Sequence, residues 1–173
     1  MKRIILFSLL LSSLIYLPAC QKEGSAPADN YYFDATIDGT VKSYPATPTA
    51  VMLDTLDVYS VGMAAYTAAG SNDLFSLTIG QKTGPITTGT YVDDYTNEDR
   101  IVVGGFNLGS TDDALQYGAG LDEGPEPRLT ITITELTDKT IKGTFSGTFF
   151  DHGGDGPGKL VVTDGKFFLP LFK

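Results

Sequence analysis

Apolar and polar residues alternate along much of this chain with a period of two, the spacing of strands that bury one face and wet the other. The pattern is clearest in the C-terminal third. Leu129, Ile131 and Ile133 alternate with Thr130, Thr132 and Thr134. A Thr137-Asp138-Lys139 turn follows. Ile141, Phe145 and Phe149 then share a face with Gly143 and Gly147, while Thr144, Ser146 and Thr148 face the other way. Leu160–Thr163 and Lys166–Leu169 are expected to form a last hairpin around Asp164-Gly165, because both residue types tolerate positive φ.

Earlier in the chain, Tyr31–Ile37 and Thr40–Tyr44 flank Asp38-Gly39, a tight hairpin turn. Pro45 and Pro48 mark a loop. Val58–Thr67 is apolar on both faces, as a central strand would be. Ser71-Asn72-Asp73 turns the chain. Phe75, Leu77 and Ile79 then share one face of the next strand, with Ser76 and Thr78 on the other. Thr87–Val92, Ile101–Phe106 and Ala114–Ala119 are further strands, separated by the acidic loop Asp93–Asp99 and the Gly84-Pro85 turn. Asp122–Pro127 is an acidic, glycine- and proline-broken loop. No stretch of the body carries a sustained 3.6-residue apolar stripe. Short strands joined by turn residues predict an all-β fold, an antiparallel β-sandwich, with an up-and-down or partly open β-barrel as the alternative.

The first 19 residues follow a different pattern. Lys2 and Arg3 precede an apolar run from Ile4 to Tyr16 that is shorter than the roughly 20 residues of a membrane span. A positive start, a short apolar core and a small-residue end describe a signal peptide over residues 1–19. Leu17-Pro18-Ala19-Cys20 resembles the lipobox of bacterial lipoproteins. That resemblance implies diacylglycerol on the Cys20 thiol and cleavage after Ala19. Cys20 is the single cysteine, so no intrachain disulfide competes for it. Two or three acyl chains, each methylene contributing about 0.8 kcal/mol, hold a protein to a bilayer where one chain alone does not.

Residues 20–30 are small, polar and proline-containing, a flexible tether, and residues 31–173 form one domain. Gln21-Lys22-Glu23, directly after the cysteine, resembles the export signal of surface-exposed lipoproteins in the Bacteroidota. Localisation is therefore expected at the outer membrane, with the cell surface favoured over its periplasmic face. Phe33-Asp34-Ala35-Thr36-Ile37-Asp38-Gly39, Gly89-Thr90-Tyr91 and the Leu129–Leu169 segment resemble small Bacteroidota lipoproteins of unknown function. The resemblance implies a β-rich domain and passes on no catalytic residues. Asp54-Thr55-Leu56 resembles the short O-glycosylation signal of exported proteins from the same bacteria.

Charge narrows the partners. The net charge is −9, and two of the twelve cations lie in the signal segment. Such a surface repels nucleic acid and anionic lipid heads, and suits neutral glycans, cations or basic proteins. No cofactor is implied. Gly153-Gly154-Asp155-Gly156-Pro157-Gly158-Lys159 has the spacing of a phosphate loop, but Leu160 stands where a Mg²⁺-binding hydroxyl belongs and strand-like residues follow. His152 is the single histidine, too few for a zinc site and without a Gly-x-Ser-x-Gly partner for a triad.

The acidic loop offers calcium chemistry. Asp93, Asp94, Asn97 and Asp99 are candidate ligands, with Glu98 beside them, since calcium takes six to eight oxygens. Tyr95 occupies a position that an EF-hand gives to an oxygen ligand, and a solubilising acidic surface is the competing explanation. Asp112, Asp113, Asp151 and Asp155 are further loop carboxylates, which a glycosidase would use in pairs. Tyr31, Tyr32, Tyr91, Tyr95 and Tyr117 could build a sugar-stacking platform or fill the core with hydroxyls at its rim. The resulting expectation is a non-catalytic, lipid-anchored module that binds or scaffolds a glycan or protein at the envelope. An envelope hydrolase using loop carboxylates is its rival.

Overall fold

Asp38 and Gly39 both adopt positive φ, at 45° and 77°, and the chain reverses there as their residue types require. The computed structural model describes residues 30–55, 58–94, 96–109, 115–120, 129–152 and 158–173. The signal peptide, Cys20 and most of the tether lie outside the described residues, as do Tyr95, Asp112, Asp113 and Asp155. Among the described residues there is no helix and there are eleven strands. They are β1 (Tyr32–Ile37), β2 (Thr40–Ser43), β3 (Ala46–Thr55), β4 (Val58–Tyr66), β5 (Leu74–Gln81) and β6 (Gly89–Val92). Then come β7 (Arg100–Leu108), β8 (Leu115–Ala119), β9 (Leu129–Leu136), β10 (Thr140–Asp151) and β11 (Lys159–Phe172).

The fold is all-β, with every strand in one mixed sheet of order β2-β1-β11-β3-β4-β5-β7-β8-β10-β9-β6, and β10 also pairs with β11. The pairings therefore return on themselves. They do so through two short corners, Leu171 and Phe172 against Ala50 and Val51, and Phe150 and Asp151 against Gly118 and Tyr117. A sandwich joined at its corners and a partly open barrel both fit this arrangement. Pairing is antiparallel except at the first corner, where β11 meets β3 in parallel.

Two local expectations are corrected. Asp164-Gly165 makes no hairpin, because β11 runs unbroken through it. Asp164 has φ 50°, and the registers of both neighbours slip there by one residue. It is a β-bulge, which asks for the same backbone freedom as a tight turn. Pro48, expected in a loop, lies within β3. Thr47 before it has φ 46° and the ladder to β4 skips between Ala46 and Thr49. An irregularity of this kind is where a strand tolerates a residue without an N–H.

One core joins the inner faces of every described strand except β2, whose residues are exposed or half-buried. Leu129, Ile131, Ile133, Ile141, Phe145 and Phe149 are buried as the alternation requires. Phe75 lies at its centre, with ring centroids 5.1 Å from both Phe106 and Phe145, 5.3 Å from Phe33 and 5.5 Å from Phe149. Tilted and edge-on rings at such spacing add to the area they bury. Gly143, inward-facing on β10, admits no side chain, since a Cβ there would overlap the Thr132 carbonyl oxygen and the Phe167 ring.

Candidate functional site

The outer faces of β9, β10 and β11 carry the residues that the alternation set aside as wetted. Register places Thr90, Thr132, Thr144, Lys166, Asp34 and Ser43 side by side across six neighbouring strands. Thr130 and Ser146 face each other in the next row. Adjacent strands stand about 4.8 Å apart and residues two positions apart on one strand about 6.7 Å. The rows thus form a lattice of hydroxyls, tied in part to itself, since the Thr90 and Thr132 hydroxyls are 3.1 Å apart.

This face is concave. A groove of about 580 Å³ is lined by Thr130, Thr132, Thr144, Ser146, Thr163 and Lys166, with Phe145, Asp164 and Gly165 at the bulge. The bulge shapes it. The extra residue in β11 bends the strand there. Five hydroxyls, each able to donate and accept, line the opening. Asp164 is the single carboxylate among the described lining residues. The Lys166 ammonium is 3.4 Å from Asp34 Oδ2, and the Ser43 hydroxyl donates to Asp34 Oδ1 at 2.6 Å.

Lys166 also leads out of the groove. Its ammonium lies 5.7 Å from the centre of the Tyr32 ring. Tyr32 pairs with Phe168 across the β1–β11 ladder, and the Phe168 ring is 5.3 Å from Tyr31 and 6.1 Å from Tyr32. All three rings are half-buried on the same outer face as the threonines. Two of the five tyrosines considered as a platform therefore come together. Tyr91 and Tyr117 do not join them, because both are buried. The Tyr91 hydroxyl donates to the Thr87 carbonyl and accepts from the Thr87 N–H, and Arg100 lies over its ring. Tyr117 stacks on Phe106 at 5.1 Å. Burial raises its phenol pKa, helped by Asp151 and Asp38.

Two side-chain oxygens of the acidic loop, on Asp94 and Asn97, accept hydrogen bonds from within the loop. Asp94 Oδ1 accepts from the Thr96 hydroxyl at 2.6 Å and the Thr96 N–H at 3.0 Å, which holds its carboxyl below the usual range. Asn97 Oδ1 accepts from the Asp99 N–H, and the Asp93 N–H donates to the Leu129 carbonyl. Among the described residues no three carboxylate, imidazole or thiol side chains gather as a metal site would require. His152 is exposed, and its ring lies against Gly118, where a Cβ would overlap it. No helix among the described residues is long and apolar enough to cross a membrane.

The threonines were visible in the sequence as a wetted face, whereas their use as a groove lining was not. The signal that would have found it is the coincidence of Thr-x-Thr on β9, Thr-x-Ser on β10 and a bulge residue pair on β11, which only register brings together. Comparison with known proteins gives no match to any family model, curated protein or solved structure.

Proposed function

We propose that this chain is a lipid-anchored envelope protein, held through Cys20, whose β domain is a non-catalytic binding module with the β9–β10–β11 groove as its binding face. The observation that carries the reading is the groove itself, a concave array of five hydroxyls. Convergent polar groups in a concavity are how proteins take up small or extended ligands. Binding is favoured over hydrolysis because the described lining of the groove offers one carboxylate, whereas glycoside hydrolysis of the usual kind needs two across the scissile bond.

The lipobox supplies the anchor and the polar segment after it the reach. In the parent bacterium, wild type should partition into the detergent phase and Cys20→Ser into the aqueous phase; an aqueous wild type would end the anchor half of the reading. Thr144→Arg, which fills the groove from an exposed position, should abolish capture of the protein's envelope ligand while leaving the melting temperature unchanged. Capture unaffected by that substitution would end the other half.

A further inference from the structure

We infer that the ligand of this groove is a neutral glycan chain, which lies along the hydroxyl rows and stacks one sugar on the Tyr31–Tyr32–Phe168 cluster. The inference rests on the binding reading above and adds a ligand class to it.

Two chemistries meet on one face. A sugar ring has an apolar C–H face and a rim of hydroxyls. The rim matches the groove, because Thr130, Thr132, Thr144, Ser146 and Thr163 each donate and accept. The C–H face matches the half-buried rings of Tyr31, Tyr32 and Phe168, which present aromatic surface, with polar tips on the two tyrosines. Lys166 joins the two: it lines the groove and reaches the Tyr32 ring. Lys166 and Phe168 lie two residues apart on one strand, about 6.7 Å, so an oligosaccharide that fills the groove extends over the rings.

Charge selects against acidic glycans. Lys166 is the one cation among the described lining residues, and Asp34 partners it. Asp164 then leaves a negative charge on the lining, within a chain whose net charge is already −9. A polyanion meets repulsion here. A neutral polyol meets hydroxyls that are largely solvated, and so gives up little in exchanging water for sugar.

The test is affinity electrophoresis of the detergent-solubilised full chain in gels containing laminarin, dextran, xylan or mannan, with polygalacturonate as the anionic probe. At least one neutral polysaccharide should retard the protein. Phe168→Ala and the double variant Thr132→Val/Thr144→Val should each weaken that retardation at least tenfold at an unchanged melting temperature. Lys166→Gln, which keeps the stem, should weaken it less than either. No retardation by any of the four neutral chains overturns the inference, and so does retardation that both variants leave intact. Retardation by polygalacturonate alone also overturns it. If that retardation is lost in Thr132→Val/Thr144→Val, the groove remains a binding face and only the ligand class falls. If it survives, the groove reading falls too.

Discussion

Gly165 faces Phe145 across the β10–β11 ladder, and the place a Cβ would occupy is already filled by the Phe145 carbonyl oxygen at 2.5 Å and ring at 2.7 Å. The bulge that opens the groove is therefore closed to any residue but glycine. Gly165→Ala should lose about 1–3 kcal/mol, the usual cost of overpacking, and should distort the groove. Gly80→Ala is the matched control, since nothing lies within 4 Å of its would-be Cβ. The added methyl meets no neighbour there, so the loss should be far smaller than at Gly165. Denaturant melts of the two variants make the comparison.

Tyr44 offers a second prediction. Its ring is fully buried, edge-on to Phe33 and Phe75, and among the described residues its hydroxyl has no hydrogen-bond partner. Tyr44→Phe removes a polar atom whose burial costs about 1–3 kcal/mol, and should leave the protein at least as stable as wild type. Burial, reinforced by nearby Asp73, pushes the Tyr44 phenol well above its ordinary value of 10.0. The folded state holds that proton more tightly than the unfolded chain. The contribution is thus complete below about pH 10 and lost as pH rises above it. Melts from pH 8 to 11 should show a shallower alkaline decline in Tyr44→Phe.

Asp73, the one buried charged residue in the described core, depends on Lys42. Their ion pair is 2.9 Å long, with the Lys42 side chain 28% and the Asp73 side chain 12% exposed. The Ser71 hydroxyl accepts from the Asp73 N–H, and the Asp73 backbone carbonyl accepts from the Thr67 N–H. Lys42→Met strands a mostly buried carboxylate and should cost about 2 kcal/mol. Adding Asp73→Asn should recover part of that loss. A double-mutant cycle measures the coupling.

Phe75 should dominate the core. Phe75→Ala removes the ring on which five others converge, and should cost about 3–5 kcal/mol. Phe172, an exposed aromatic at the end of β11, should tolerate alanine with a far smaller loss. Equal losses at the two positions would contradict the packing described above.

These residues also show what the sequence makes legible. Leu129, Ile131, Ile133 and Phe145 declare their burial by alternation, and Asp38-Gly39 declares its turn by residue type. Asp164-Gly165 speaks the same dialect, yet it is a bulge. Positive φ is a local property, and whether the chain then reverses or runs on depends on what pairs with it. β11 runs on because β1 and β10 hold it on both sides. Pro48 is similar, in that its missing N–H excludes a regular ladder and permits an irregular one. The groove is a matter of register alone. Thr132 and Thr144 are legible as wetted, but nothing in their spacing says that they stand beside each other and beside Lys166. Tyr31 and Tyr32 were visible as a platform; Phe168, the ring between them, lacked a polar signature to draw attention to it.

The most direct test of the binding face places a photocrosslinking residue at Thr144 in one strain and at Thr78 in another. Thr144 lies in the groove, and Thr78 faces outward on β5, between Gly62 of β4 and Val103 of β7. Irradiation of intact cells should give a discrete adduct from position 144 and none from position 78. An adduct from position 78 alone, or none from position 144, would contradict the account.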